Sequence, residues 1–133
     1  TAVGINESDR ISSMASDTLK IIGLRKELRS LYTDKRVFIA PTRFSAGVPH
    51  KVHEAAAYGI PVVATPLLAE QLGWTDGKEL RVGDTADELA KCSIELYTNP
   101  VLWQRIRRQA LERVARECSP KQFDRTLREV VRY

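Results

Sequence analysis

The strongest constraint in the sequence is a pair of short apolar runs, VFIA at 37–40 and PVVAT at 61–65, bounded by proline and glycine. Runs of this length with β-branched residues read as fully buried strands of a parallel sheet. Between them lie a Gly-containing loop and a helical segment, 51–58, with Gly59 as its C-cap. The stretch therefore predicts a strand–loop–helix–strand unit. Its loop leaves the carboxyl end of the first strand, where open parallel sheets bind ligands. Arg43, Gly47, Lys51 and Glu54 fall in that loop and in the first turns of the helix. Two cations, an unencumbered backbone and a carboxylate point to a ligand with phosphates at one end and hydroxyls at the other. A nucleotide has that chemistry.

The rest of the chain keeps the same alternation. Residues 1–4 read as the end of a strand entering a turn, and 7–15 as a short helix with Asn6 as N-cap. Residues 19–22 (LKII) read as a second strand stopped by Gly23. Residues 25–33 form a predicted helix, with Leu24, Leu28, Leu31 and Tyr32 in helical rhythm. After the strand at 62–65 come one or two helical turns at 67–72, a loop turning at Asp76-Gly77, and a weak fifth strand at 80–82. Thr85 and Glu88 make a capping box for a helix over 89–97. Asn99-Pro100 and Ser119-Pro120 then start helices over 101–117 and from 120 to about 132. The expected fold class is α/β: a Rossmann-like, doubly wound parallel sheet of about five strands with a helical C-terminal tail. The expected strand order is 2-1-3-4-5, within a single domain spanning 1–133.

Charge and cysteine content bound the functional classes. The chain of 133 residues carries a net charge of +4, unevenly placed. Residues 103–133 hold nine Arg or Lys against four Asp or Glu, and the remainder twelve against thirteen. The basic excess lies in the tail helices, away from the loop. It reads as a solvated face, or as a surface for peripheral membrane contact or a further domain. Nucleic acid is not the expected partner, since no aromatic interleaving or recognised motif accompanies the charge. Cys92 and Cys118, isolated in helical segments, read as reduced thiols, which places the protein in the cytoplasm. His50 and His53 have no third and fourth ligand at metal-binding spacing, so no metal site is expected. They read as helix residues. Trp74 and Trp103 read as core rather than as platforms for a sugar.

The central stretch also carries a family resemblance. VFIAPTRFSAGVPHKVHEAAAYGIPVVAT resembles the donor-binding segment of group 1 (GT-B fold) glycosyltransferases. The branch pattern P-x-R-x-x-x-G-x-x-x-K-x-x-E-A-x-A-x-G-x-P-V-V is met by Pro41, Arg43, Gly47, Lys51, Glu54, Ala55, Ala57, Gly59, Pro61, Val62 and Val63. The flanks IIGLRKELRSLYTDKRVFIAP and NPVLWQRIRRQALERVARECSP agree with it, so the resemblance covers nearly the whole chain. It implies a C-terminal Rossmann-like domain holding a nucleoside-diphosphate sugar, such as a UDP- or GDP-sugar, as substrate without a cofactor or metal. By the same resemblance Arg43 and Lys51 act catalytically, neutralising the departing diphosphate. Backbone at Ala46 and Gly47 meets the phosphate or sugar, Glu54 accepts from the ribose, and Gly23 and Leu24 cup the base.

The resemblance also implies an N-terminal acceptor-binding domain as partner, making this chain part of a larger enzyme and inactive alone. Many members carry a second glutamate eight positions before the first, where this sequence has Ala46. Two other readings stay open: a non-catalytic nucleotide-binding or scaffold module, and another GT-B enzyme such as a sugar-nucleotide epimerase. At the residue level, Lys51 and Glu54 are also spaced as an ordinary helix-surface ion pair. Arg43 equally stacks on Phe44 or pairs with a carboxylate, and Gly47 equally serves only a turn.

Overall fold

The computed structural model describes residues 1–3 and 8–131. The chain divides into two compact units, Thr1–Leu31 and Tyr32–Tyr133. In the first, strands β1 (Ala2–Val3) and β2 (Ile21–Ile22) pair in parallel, with helix α1 (Asp9–Ser12) between them in sequence. The expected N-cap Asn6 and the turn at Gly4 lie outside the described residues. The described helix starts after Ser8, whose side chain accepts from the Ile11 N–H.

The second unit holds the strand–loop–helix–strand element. Strand β3 (Phe38–Ala40) leads through the loop to helix α3 (His50–Ala57) and strand β4 (Val62–Ala64). Helix α4 (Pro66–Leu72) and strand β5 (Arg81–Val82) follow. The sheet order is β3-β4-β5, with every pairing parallel. Val62, Val63 and Ala64 are wholly buried, as a continuous apolar run requires. Three long helices close the chain: α5 (Ala86–Thr98), α6 (Pro100–Glu117) and α7 (Pro120–Val131). Val63 packs with Cys92 and Leu96 of α5 and with Leu102 and Ile106 of α6, and Val37 and Leu89 seal the edge.

Local signals set most boundaries. The capping box at Thr85 and Glu88 forms in both directions, and the side chains of Asn99 and Ser119 receive the Leu102 and Gln122 N–H groups. Gly59 and Gly73 take positive φ where α3 and α4 end.

Two expectations are corrected. Among the described residues the strands pair as two sheets, β1-β2 and β3-β4-β5, rather than as one sheet in the order 2-1-3-4-5. β1 and β2 are only two residues long and neither is fully buried, so they bring few ladder bonds and little apolar area to a larger sheet. Helix α2 covers only Arg29–Thr33, rather than 25–33. No Ser, Thr, Asp or Asn stands ahead of Arg25 to cap an earlier start. Of the apolar positions that suggested one, Leu24 is 70% exposed and only Tyr32 is buried.

Candidate functional site

The loop from Pro41 to Pro49 is fixed at three points. The Thr65 hydroxyl, at the end of β4, donates to the Thr42 carbonyl at 2.7 Å. Gln71 of α4 donates through Nε2 to the Ser45 carbonyl at 3.0 Å. Lys51, in the first turn of α3, donates through Nζ to the Thr42 hydroxyl at 2.6 Å. The loop is thus held at the carboxyl ends of β3 and β4, and these anchors draw its start against the beginning of α3. Gly47 turns it at φ +94°, in the left-handed region that favours glycine, and a Cβ there would meet nothing within 4 Å.

Neither cation of the loop and helix start pairs with a carboxylate among the described residues. Among the described residues Arg43 has no hydrogen-bond or ion-pair partner, and it is exposed next to Thr42. With Phe44, Ser45, Ala46 and Leu67 it lines an open depression of about 480 Å³. Lys51 is held by a neutral hydroxyl, so its charge is not spent on a carboxylate. Helix α3 has Pro49 at its N-cap and no side-chain cap bond; the His50 and Val52 N–H groups donate instead to the Val48 and Pro49 carbonyls, both at 2.9 Å.

Glu54 turns elsewhere. Its Oε2 accepts from the Tyr32 hydroxyl at 3.3 Å rather than pairing with Lys51. The surface ion pair suggested by their spacing is therefore not among the described ion pairs. Burial, and then the neighbouring Glu54 carboxylate, push the Tyr32 phenol up to about 12. On the other side of α3, His53 meets the Trp74 ring edge-on at 5.5 Å and stands 3.7 Å from Glu117. Glu117 also accepts from Trp74 Nε1 and from Arg113, so this cluster ties α3 to α6. Burial opposes ionisation of Glu117, but Arg113 and Trp74 outweigh it and hold the carboxyl below its ordinary value.

Arg43, Ala46, Gly47, Lys51 and Glu54 therefore sit on one loop and the first turns of one helix. Gly23 and Leu24 follow β2 in the first unit, with Leu24 exposed. Trp74 is buried, at 4% exposure, and Trp103 is half-buried between the guanidinium groups of Arg36 and Arg107. Among the described residues no three His, Cys, Asp or Glu side chains gather in a metal-binding cluster. Sequence reasoning missed Thr42 and Tyr32. The hydroxyl directly after Pro41 was a weak sign of the first, and nothing local announced the second, which lies 22 residues from Glu54.

The chain matches the family described as glycosyl transferases group 1 over residues 1–99. No curated protein matches it. Among solved structures, the crystal structure of TarM is similar with a TM-score of 0.71 at 16% identity. That match covers 92% of this chain and 26% of the TarM chain, so the chain spans about a quarter of that protein's length. The likeness is one of fold, a mixed α/β arrangement of parallel strands and helices similar to the GT-B type. With the family matched over most of its length, this chain belongs to the group 1 glycosyltransferases.

Proposed function

We propose that the loop and first helical turns between β3 and β4 bind the diphosphate of a nucleoside-diphosphate sugar, and that the chain is the donor-binding part of a glycosyltransferase. The observation that carries this reading is the pair of uncommitted cations. Lys51 rests on a hydroxyl and Arg43 has no partner among the described residues, at the carboxyl ends of parallel strands.

In the transfer, the bond between the sugar's anomeric carbon and the diphosphate oxygen breaks, and the diphosphate leaves with the electron pair. The acceptor hydroxyl oxygen forms the new bond and gives up its proton. Arg43 and Lys51 stabilise the charge that grows on the leaving diphosphate, in place of a metal ion. Glu54 accepts from the ribose hydroxyls. The acceptor and the remaining catalytic groups come from an N-terminal domain of the same enzyme, so this chain alone binds donor without turning it over.

Family membership and fold support sugar transfer in general. Among the described residues no helix is long and apolar enough to cross a membrane. The test is calorimetric titration with UDP, GDP and ADP and their sugars. Saturable binding of at least one nucleoside diphosphate, with free nucleoside much weaker, is the expected result. Failure of every diphosphate to bind would refute the reading.

A further inference from the structure

The Tyr32 ring is held from two directions and exposes only 7% of its surface. It lies nearly parallel to Tyr58 at 5.0 Å, with 12° between the rings, and tilted against Phe38 of β3 at 5.8 Å. Tyr58 stands one turn beyond Glu54 on the same helix and donates its backbone N–H to the Glu54 carbonyl. The phenol is thereby fixed relative to both β3 and α3, and its hydroxyl reaches Glu54 Oε2. Glu54 itself is exposed. An exposed glutamate without such a hold samples many rotamers and must be ordered when a ligand arrives.

Tyr32 occupies one lone-pair position on one carboxylate oxygen and leaves the others for a ligand. It also draws Glu54 away from Lys51, which lies within ion-pair spacing on the same helix but is taken up by Thr42. The two partners keep the carboxylate and the ammonium from neutralising each other, so each stays available to its own part of a ligand.

We propose that Tyr32 is a positioning residue that presents Glu54 to the vicinal hydroxyls of a ribose, and so sets a preference for ribonucleotides over 2′-deoxyribonucleotides. This rests on the donor-binding reading above. The phenol, raised to about 12 by burial and then by Glu54, stays protonated and donating at neutral pH. At 3.3 Å the bond is long, and binding that draws the carboxylate into place tightens it.

The experiment titrates wild type, Tyr32→Phe, Glu54→Gln and the double variant with UDP and GDP and with their 2′-deoxy counterparts. Tyr32→Phe keeps both ring contacts and removes only the hydroxyl. Near-ultraviolet circular dichroism and thermal unfolding verify the fold of each variant. The expected result is that Tyr32→Phe cuts the ribose preference about fivefold, less than the full worth of a hydrogen bond to a charged group because only the placement of Glu54 is lost, while 2′-deoxy affinity changes little. Glu54→Gln removes most of the preference, and adding Tyr32→Phe to it changes nothing further.

A merely structural tyrosine would weaken both ligands equally, and that result overturns the proposal. Full discrimination by Tyr32→Phe, alongside loss in Glu54→Gln, overturns it too but leaves donor binding standing. If wild type binds no nucleotide, both readings fall together.

Discussion

Replacing Gly59 with alanine isolates the joint between the site helix and the core. Gly59 is buried, ends α3 at φ +75°, and passes its carbonyl to Arg107 Nε at 3.1 Å. A Cβ built there lies 2.8 Å from that Nε, 3.1 Å from Nη2 and 3.3 Å from Cζ. Two costs follow. The left-handed backbone costs about 1–2 kcal/mol for a residue with a Cβ. The guanidinium must also withdraw, which breaks its bond to the Gly59 carbonyl. Arg107 is exposed and its end is flexible, so this second cost is about 0.5–1 kcal/mol, at the low end for a hydrogen bond.

Gly59→Ala should therefore lose about 1.5–3 kcal/mol in urea unfolding, with an unchanged m-value. In an Arg107→Ala background the same change should cost only the backbone part, leaving a coupling of about 0.5–1 kcal/mol. Nucleotide affinity under native conditions should move less than about twofold, since Lys51 and Glu54 lie in the earlier turns. A cost below about 0.5 kcal/mol, or the same cost in both backgrounds, would refute the reasoning.

Gly83→Ala should be worse, at about 3 kcal/mol or more, because its Cβ would lie 2.7 Å from the Leu89 backbone nitrogen and 2.9 Å from the Glu88 carbonyl carbon, neither of which can swing aside; urea unfolding measures it. Lys51→Ala should weaken nucleoside-diphosphate binding by about 1.5–3 kcal/mol and leave free nucleoside nearly unaffected; calorimetry showing equal loss for both would remove Lys51 from the phosphate. The Tyr32 phenol, raised to about 12 by burial first and then by Glu54, favours the folded state while neutral. Its contribution is complete below the unfolded value of 10.0 and fades as pH rises toward 12, so unfolding free energies at pH 9 and 11 should converge in Tyr32→Phe relative to wild type.

What the sequence shows about this chain depends on how local the responsible force is. The capping box at Thr85, the breaks at Asn99-Pro100 and Ser119-Pro120, and the glycine ending α3 each act within four residues, and each is visible in the sequence. The start of α2 is not visible, because its apolar rhythm persists through residues that find no surface to pack on. The same holds for the sheet. Two-residue strands carry an apolar signature, yet whether they join a larger sheet depends on partners far along the chain. Within the site, the spacing of Lys51 and Glu54 shows that they share a helix side. It is silent on Thr42 and Tyr32, which decide where each side chain goes.

The packing of α3 explains why Lys51 and Glu54 stay exposed. Val52, Ala55 and Ala56 are wholly buried, and two of the three are alanines, which lets the helix lie close to its neighbours. That choice commits one side of a short helix to the core. His53 goes to its flank, against Trp74 and Glu117, which locks the helix to α6. Lys51 and Glu54 then fall on the remaining side, beside the loop that carries Arg43, whatever ligand is present. Small core residues and exposed charged ones are thus two consequences of one arrangement. A larger residue at Ala55 or Ala56 would lift the helix and move Lys51 away from Thr42. A substitution deep in the core would then be felt at Lys51 and the loop beside it, far from the substituted side chain.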